Sequence, residues 1–82
     1  MKIQVLGPGC SNCEKLYENA LEAVKRSGLL TEIVVEKVRD MDTFIRMGVF
    51  TTPALVVDGK IVSVGRVLNA GDILEIIKKK KQ

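Results

Sequence analysis

The hydrophobic patterning of these 82 residues predicts an α/β domain, a four-stranded mixed sheet flanked by helices in the order β-α-β-α-β-β-α. Three observations carry that prediction. A short apolar run reaches a Gly7-Pro8-Gly9 turn and passes straight into a helix-periodic stretch. An Asp58-Gly59 pair separates two β-branched runs, and the chain closes on apolar residues at helical spacing.

The first strand, β1, is expected over Lys2–Leu6, too short before the glycine turn to be anything but extended. From Ser11, the residues Cys13, Leu16, Tyr17, Ala20, Leu21 and Val24 recur at helical spacing, with charged residues on the other face. This is α1, stopped at Gly28. The β-branched window 31–38 reads as β2, and a strand, helix and strand in succession imply a parallel crossover. Asp40 can cap a short α2 over residues 41–47, with Gly48 as its stop. Residues 54–57 and 60–64 form an antiparallel hairpin, β3 and β4, because Asp-Gly suits a type I′ turn with positive φ at both central positions. Ala70, Ile73, Leu74 and Ile77 mark α3, with Asn69 or Asp72 available as its cap.

Length allows a single domain, residues 1–82, with one aliphatic core. Tyr17, Phe44, Phe50, Met41 and Met47 are expected as packing residues. The net charge of +3 owes much to Lys78, Lys79, Lys80 and Lys81, which read as the solvated end of the last helix, with 79–82 a frayed tail. No aromatic cluster accompanies these lysines, which argues against nucleic acid as a partner. No segment approaches the ~20 apolar residues of a membrane span, and the N-terminus reaches its glycine turn too soon for a secretory apolar region. A cytoplasmic location is expected.

The chemistry centres on Cys10-Ser11-Asn12-Cys13, which holds both cysteines of the chain. Two thiols three positions apart at a helix start can close a small disulfide ring, and the first faces the positive end of the helix dipole. Such a thiol ionises more easily than a free cysteine, and the thiolate is the nucleophile of disulfide exchange. Ser11 and Asn12 are read as capping residues. The chain has no histidine, so activation rests on the helix end, with Lys15 or Arg66 as electrostatic helpers.

A CxxC at the β1–α1 junction, Thr52-Pro53 at the head of β3 and this element order together resemble the thioredoxin-like superfamily over essentially the whole chain. The minimal length and the stretch from Gly48 to Lys60 are most similar to the small prokaryotic thioredoxin/glutaredoxin-like "redox-active disulfide" proteins. The resemblance implies a thiol–disulfide oxidoreductase in which Cys10 attacks and Cys13 resolves, with the redox-active disulfide as the only cofactor and no metal. It also implies a cis bond at Thr52-Pro53, which spacing alone would not suggest since only about 5–6% of X-Pro bonds are cis. Thr52 then presents its backbone to substrate. The implied partners are disulfide-containing proteins and a thioredoxin-reductase-like flavoprotein or other dithiol reductant, with the chain itself a monomer. An apolar patch around Gly9, Thr51, Thr52, Pro53 and Gly65 is expected to dock the partner.

Several positions depart from the family pattern, among them Gly9 where thioredoxins carry a Trp and Ser11-Asn12 where they carry Gly-Pro. Gln4 stands where thioredoxins carry a buried acid, and Gly65-Arg66 replaces the paired glycines with which glutaredoxins hold glutathione, which argues against glutathione. Rival readings are a small Cu(I) carrier, since soft thiolates select that ion, or a non-catalytic binding module. A helix at the chain's end, after a hairpin, disfavours the carrier.

Overall fold

In the computed structural model, which describes residues 1–9, 11–29 and 31–81 (the last without its side chain), seven elements follow the expected order. They are β1 (Lys2–Leu6), α1 (Ser11–Ser27), β2 (Val34–Val38), α2 (Met41–Arg46), β3 (Ala54–Val57), β4 (Lys60–Val64) and α3 (Ala70–Lys81). The strands form one sheet in the order β2-β1-β3-β4. β1 runs parallel to β2, whereas β1/β3 and β3/β4 are antiparallel, so the sheet is mixed.

Strand alternation divides the core into two layers. Ile3 and Val5 of β1 and Leu55 and Val57 of β3 point to one face, where Leu16, Ala20, Ala23 and Val24 of α1 and Ile73 and Ile77 of α3 cover them. Each Val, Leu or Ile among them contributes about 1.5–3 kcal/mol by leaving water. Leu6, Ala54 and Val56 point to the opposite face and meet Phe44 of α2 and Val49. Two long helices therefore close one face, and a single helix of six residues covers part of the other.

Local chemistry explains the boundaries. The Asp40 carboxylate accepts from the backbone N–H of Asp42 at 3.1 Å and from the Thr43 hydroxyl at 3.0 Å, capping α2. At α3 the cap is Asn69, whose side-chain oxygen accepts from the Asp72 N–H at 2.8 Å. Asp58 and Gly59 have φ of 51° and 81°, the paired positive values that a type I′ turn demands. The hairpin carries an irregularity between Leu55 and Val56, where the register slips so that Val62 has no opposite partner.

Three expectations are corrected. β2 begins at Val34 because the N–H groups of Glu32 and Ile33 both turn back to the Leu29 carbonyl, at 2.9 and 3.0 Å, and form a turn. On α1, Ala23 is buried and Leu21 is exposed, the apolar stripe lying a little further round than the larger side chains suggest. Met41 and Phe50 are 60% and 82% exposed and pack no core. α3 runs to Lys81. Gln82 lies outside the described residues.

Candidate active site

The sheet topology gathers the site at one edge. Because β1 and β2 run together and β3 opposes β1, the C-terminal ends of β1, β2 and β4 and the N-terminal end of β3 all emerge on the same side. Gly7 follows β1, Arg39 follows β2, Pro53 precedes β3 and Gly65 follows β4. Two backbone hydrogen bonds tie these ends together, from the Gly7 N–H to the Val38 carbonyl at 2.9 Å and from the Gly65 N–H to the Pro53 carbonyl at 2.8 Å.

Cys13 is buried in the first turn of α1 and is disulfide-bonded. Its side chain packs against Gly7 so closely that a Cβ there would lie 3.0 Å from the Cys13 Cβ and overlap its Sγ. The same position lies 3.9 Å from the Thr52 Cβ, so Gly7 is the point where the second cysteine and the loop before β3 converge. Thr52-Pro53 is cis, with Pro53 buried and Thr52 half-buried. A Cβ on Gly65 would come within 2.7 Å of the Thr51 methyl, so the strand-end glycine lets the proline loop sit directly beside it. Cys10, the expected nucleophile, lies outside the described residues.

Other anticipated residues fall out variously. Ser11 and Asn12 are exposed, and both lie within the first turn of α1. Gln4 is half-buried and donates its amide to Glu36 Oε1 at 3.0 Å; Lys2 Nζ lies 3.3 Å from the same oxygen. These contacts, the Gln4 hydrogen bond foremost, hold the Glu36 carboxyl below its ordinary pKa. No charged or polar residue is buried among the described residues. Lys15 and Arg66 are exposed.

Two features were missed from the sequence. The first is Arg39, whose guanidinium carbon would lie 3.6 Å from a Cβ on Gly9, the residue preceding Cys10. Arg39 Nη2 donates to Glu14 Oε1 at 3.4 Å, and Lys37 Nζ donates to Glu14 Oε2 at 2.6 Å while standing 4.6 Å from the centre of the Tyr17 ring. The Lys37 hydrogen bond is the main cause of a Glu14 pKa below its ordinary value. No sequence signal brings Arg39 to Gly9, because the approach depends on the β1–β2 pairing.

The second is an apolar pocket of about 330 Å³ lined by Pro8, Met41, Phe44, Ile45, Val49, Phe50 and Thr52. It lies towards α2 and shares Thr52 with the expected patch around Gly9, Thr51, Thr52, Pro53 and Gly65, while its other lining residues fall outside that patch. Six residues of α2 can bury Phe44 and leave Met41 and Ile45 on the outside.

A buried cysteine at the start of the helix after β1, facing a cis-proline loop at the head of an antiparallel strand, defines a thioredoxin-like site. The thioredoxin domain family matches residues 1–78. A thioredoxin of Methanothermobacter thermautotrophicus is 43% identical over 77 residues, covering 94% of this chain and 97% of that protein. A thioredoxin of Methanocaldococcus jannaschii is 38% identical over 76 residues, covering 93% of this chain and 85% of that one. The chain belongs to the thioredoxin domain family, and it is a thioredoxin-like thiol–disulfide oxidoreductase.

Proposed function

We propose that the chain reduces disulfides in partner proteins through Cys10 and Cys13. The Cys10 thiolate attacks one sulfur of the partner disulfide, forming a mixed disulfide and releasing the partner's other sulfur as a thiolate that takes up a proton. Cys13, deprotonated, then attacks the Cys10 sulfur and displaces the partner's remaining thiolate, which is protonated in turn. The partner gains two electrons and the chain ends as the Cys10-Cys13 disulfide. A dithiol reductant, such as a thioredoxin-reductase-like flavoprotein, returns it to the dithiol; a cytoplasmic setting suits that cycle. The chain works as a monomer.

The observation that carries this reading is the convergence at Gly7 of the Cys13 sulfur and Thr52. A resolving thiol is useful only within reach of the sulfur it attacks, and burial keeps Cys13 from competing as the first nucleophile. Thr52 stands where an extended partner segment can pair with exposed backbone. The pocket beside it takes an apolar side chain flanking the partner's cysteine, since Pro8 and Thr52 belong both to the pocket wall and to the redox edge. The test is turnover: the pre-reduced chain is mixed with a disulfide-bonded protein, and free thiols on that protein are counted. Wild type is expected to transfer two electrons per chain. Cys13→Ser is expected to stall as a mixed disulfide visible by mass; stalling by Cys10→Ser instead would reverse the two roles.

A further inference from the structure

We propose that Arg39 supplies a fixed positive charge to the redox motif, that Glu14 positions it there, and that Lys37 keeps Glu14 from cancelling it. The inference rests on Cys10 being the attacking thiol.

The Arg39 guanidinium lies against the open face of Gly9, where a side chain would meet Cζ at 3.6 Å, Nε at 3.8 Å and Nη2 at 3.9 Å. Gly9 has φ of +101°, a conformation that glycine adopts without strain, and it leaves that face uncovered. Cys10 is the next residue in the chain. A guanidinium stays charged across the pH range in which a thiol titrates. A positive charge held beside Gly9 favours thiolate over thiol in the motif that follows it.

The charge balance of the cluster decides the sign of its effect. Glu14 alone, one residue beyond Cys13, would oppose thiolate formation. Its two oxygens are instead divided between Lys37 and Arg39, at 2.6 and 3.4 Å, so one carboxylate is shared by two cations. The group is left with one net positive charge, and Arg39 is its member against the motif. On the neighbouring α2, the Asp40 carboxylate is committed to its own helix start through Asp42 and Thr43, and Asp42 follows in the first turn. The helpers expected from sequence, Lys15 and Arg66, are not needed for this arrangement.

The test is the pH dependence of Cys10 alkylation in the fully reduced chain, with the modified cysteine identified by mass. Arg39→Gln is expected to raise the midpoint by about half a pH unit in low-salt buffer. Arg39→Lys should restore most of the shift. Lys37→Gln should also raise the midpoint, by exposing the charge of Glu14. Because Arg39 is largely exposed, the difference between wild type and Arg39→Gln should collapse near 1 M salt, where the screening length is about 3 Å. Coincident midpoints at low salt would overturn the proposal, and so would a shift that persists at high salt, which would mark a structural change instead. The readout needs no turnover. Disulfide reduction with no effect of Arg39 would sink this proposal alone, and an Arg39-dependent midpoint in a chain that reduces nothing would sink only the proposed function.

Discussion

The two faces of the sheet are built to different standards. One is closed by α1 and α3, 17 and 12 residues long, and most of its inward side chains are fully buried. The other is roofed by six residues of α2, buries a small cluster around Phe44, and leaves Met41, Ile45 and Phe50 exposed around an open pocket. The site sits where the two meet. Cys13 belongs to the thick face through α1, and Thr52 borders the pocket of the thin one. One layer packs the helix that carries Cys13, and the other leaves apolar side chains exposed around the pocket.

The largest effect tests the chemistry at the junction. Cys10→Ser should abolish reduction of protein disulfides while leaving the folded state unchanged by circular dichroism. Next in size is the thick face, where Leu16→Ala should cost about 2–5 kcal/mol in denaturant unfolding because Leu16 has no exposed surface and closely packed neighbours. Gly7→Ala should cost about 1–3 kcal/mol and slow disulfide exchange, since the added methyl displaces the Cys13 side chain. On the thin face, Phe50→Ser should leave stability within about 0.5 kcal/mol and raise KM for a protein disulfide by roughly five- to tenfold, with kcat little changed. A large stability loss from Phe50→Ser, or an unchanged KM, would erase the distinction between the two layers.

The smallest effect is electrostatic. Glu14 and Glu36 both have folded-state pKa values below the unfolded ones, the first chiefly through Lys37 and the second chiefly through Gln4. A depressed carboxylate contributes stability that is full above the ordinary carboxylate range and is lost as pH falls through the lower, folded value. Both pairs are exposed, so the decline should be shallow. Urea midpoints measured down the acid range should fall less steeply in Glu36→Gln than in wild type.

Much of the thick face was legible in the sequence because periodicity reports what long elements bury. Leu16, Ala20, Val24, Ile73 and Ile77 recur at helical spacing within helices of three or more turns. The hairpin was legible for a different reason, since Asp58-Gly59 is a local conformational requirement that no tertiary contact need supply. The thin face was not legible. In six residues Met41, Phe44 and Ile45 are equally apolar, and only the position of the sheet decides that Phe44 turns inward. Phe50 was read as core by residue type, yet Val49 beside it takes the buried place, its N–H bonded to the Phe44 carbonyl at 2.8 Å. Arg39 was missed because its approach to Gly9 joins residues thirty positions apart through the β1–β2 pairing. Gln4 shows a third kind of gap. Its mismatch with the family pattern was visible, but its hydrogen bond to Glu36 depends on strand register.

The proposed mechanism requires that Cys10 and Cys13 form one reversible couple. The purified chain can be equilibrated, metal-free, across a graded series of thiol/disulfide buffers and its free thiols counted by alkylation and mass. The result expected is a single two-electron transition in which both cysteines change together, at roughly −200 to −270 mV, within the range of thioredoxins and glutaredoxins. If no intramolecular disulfide formed in any buffer, Cys10 and Cys13 would not be a redox pair, and the proposed mechanism would be wrong.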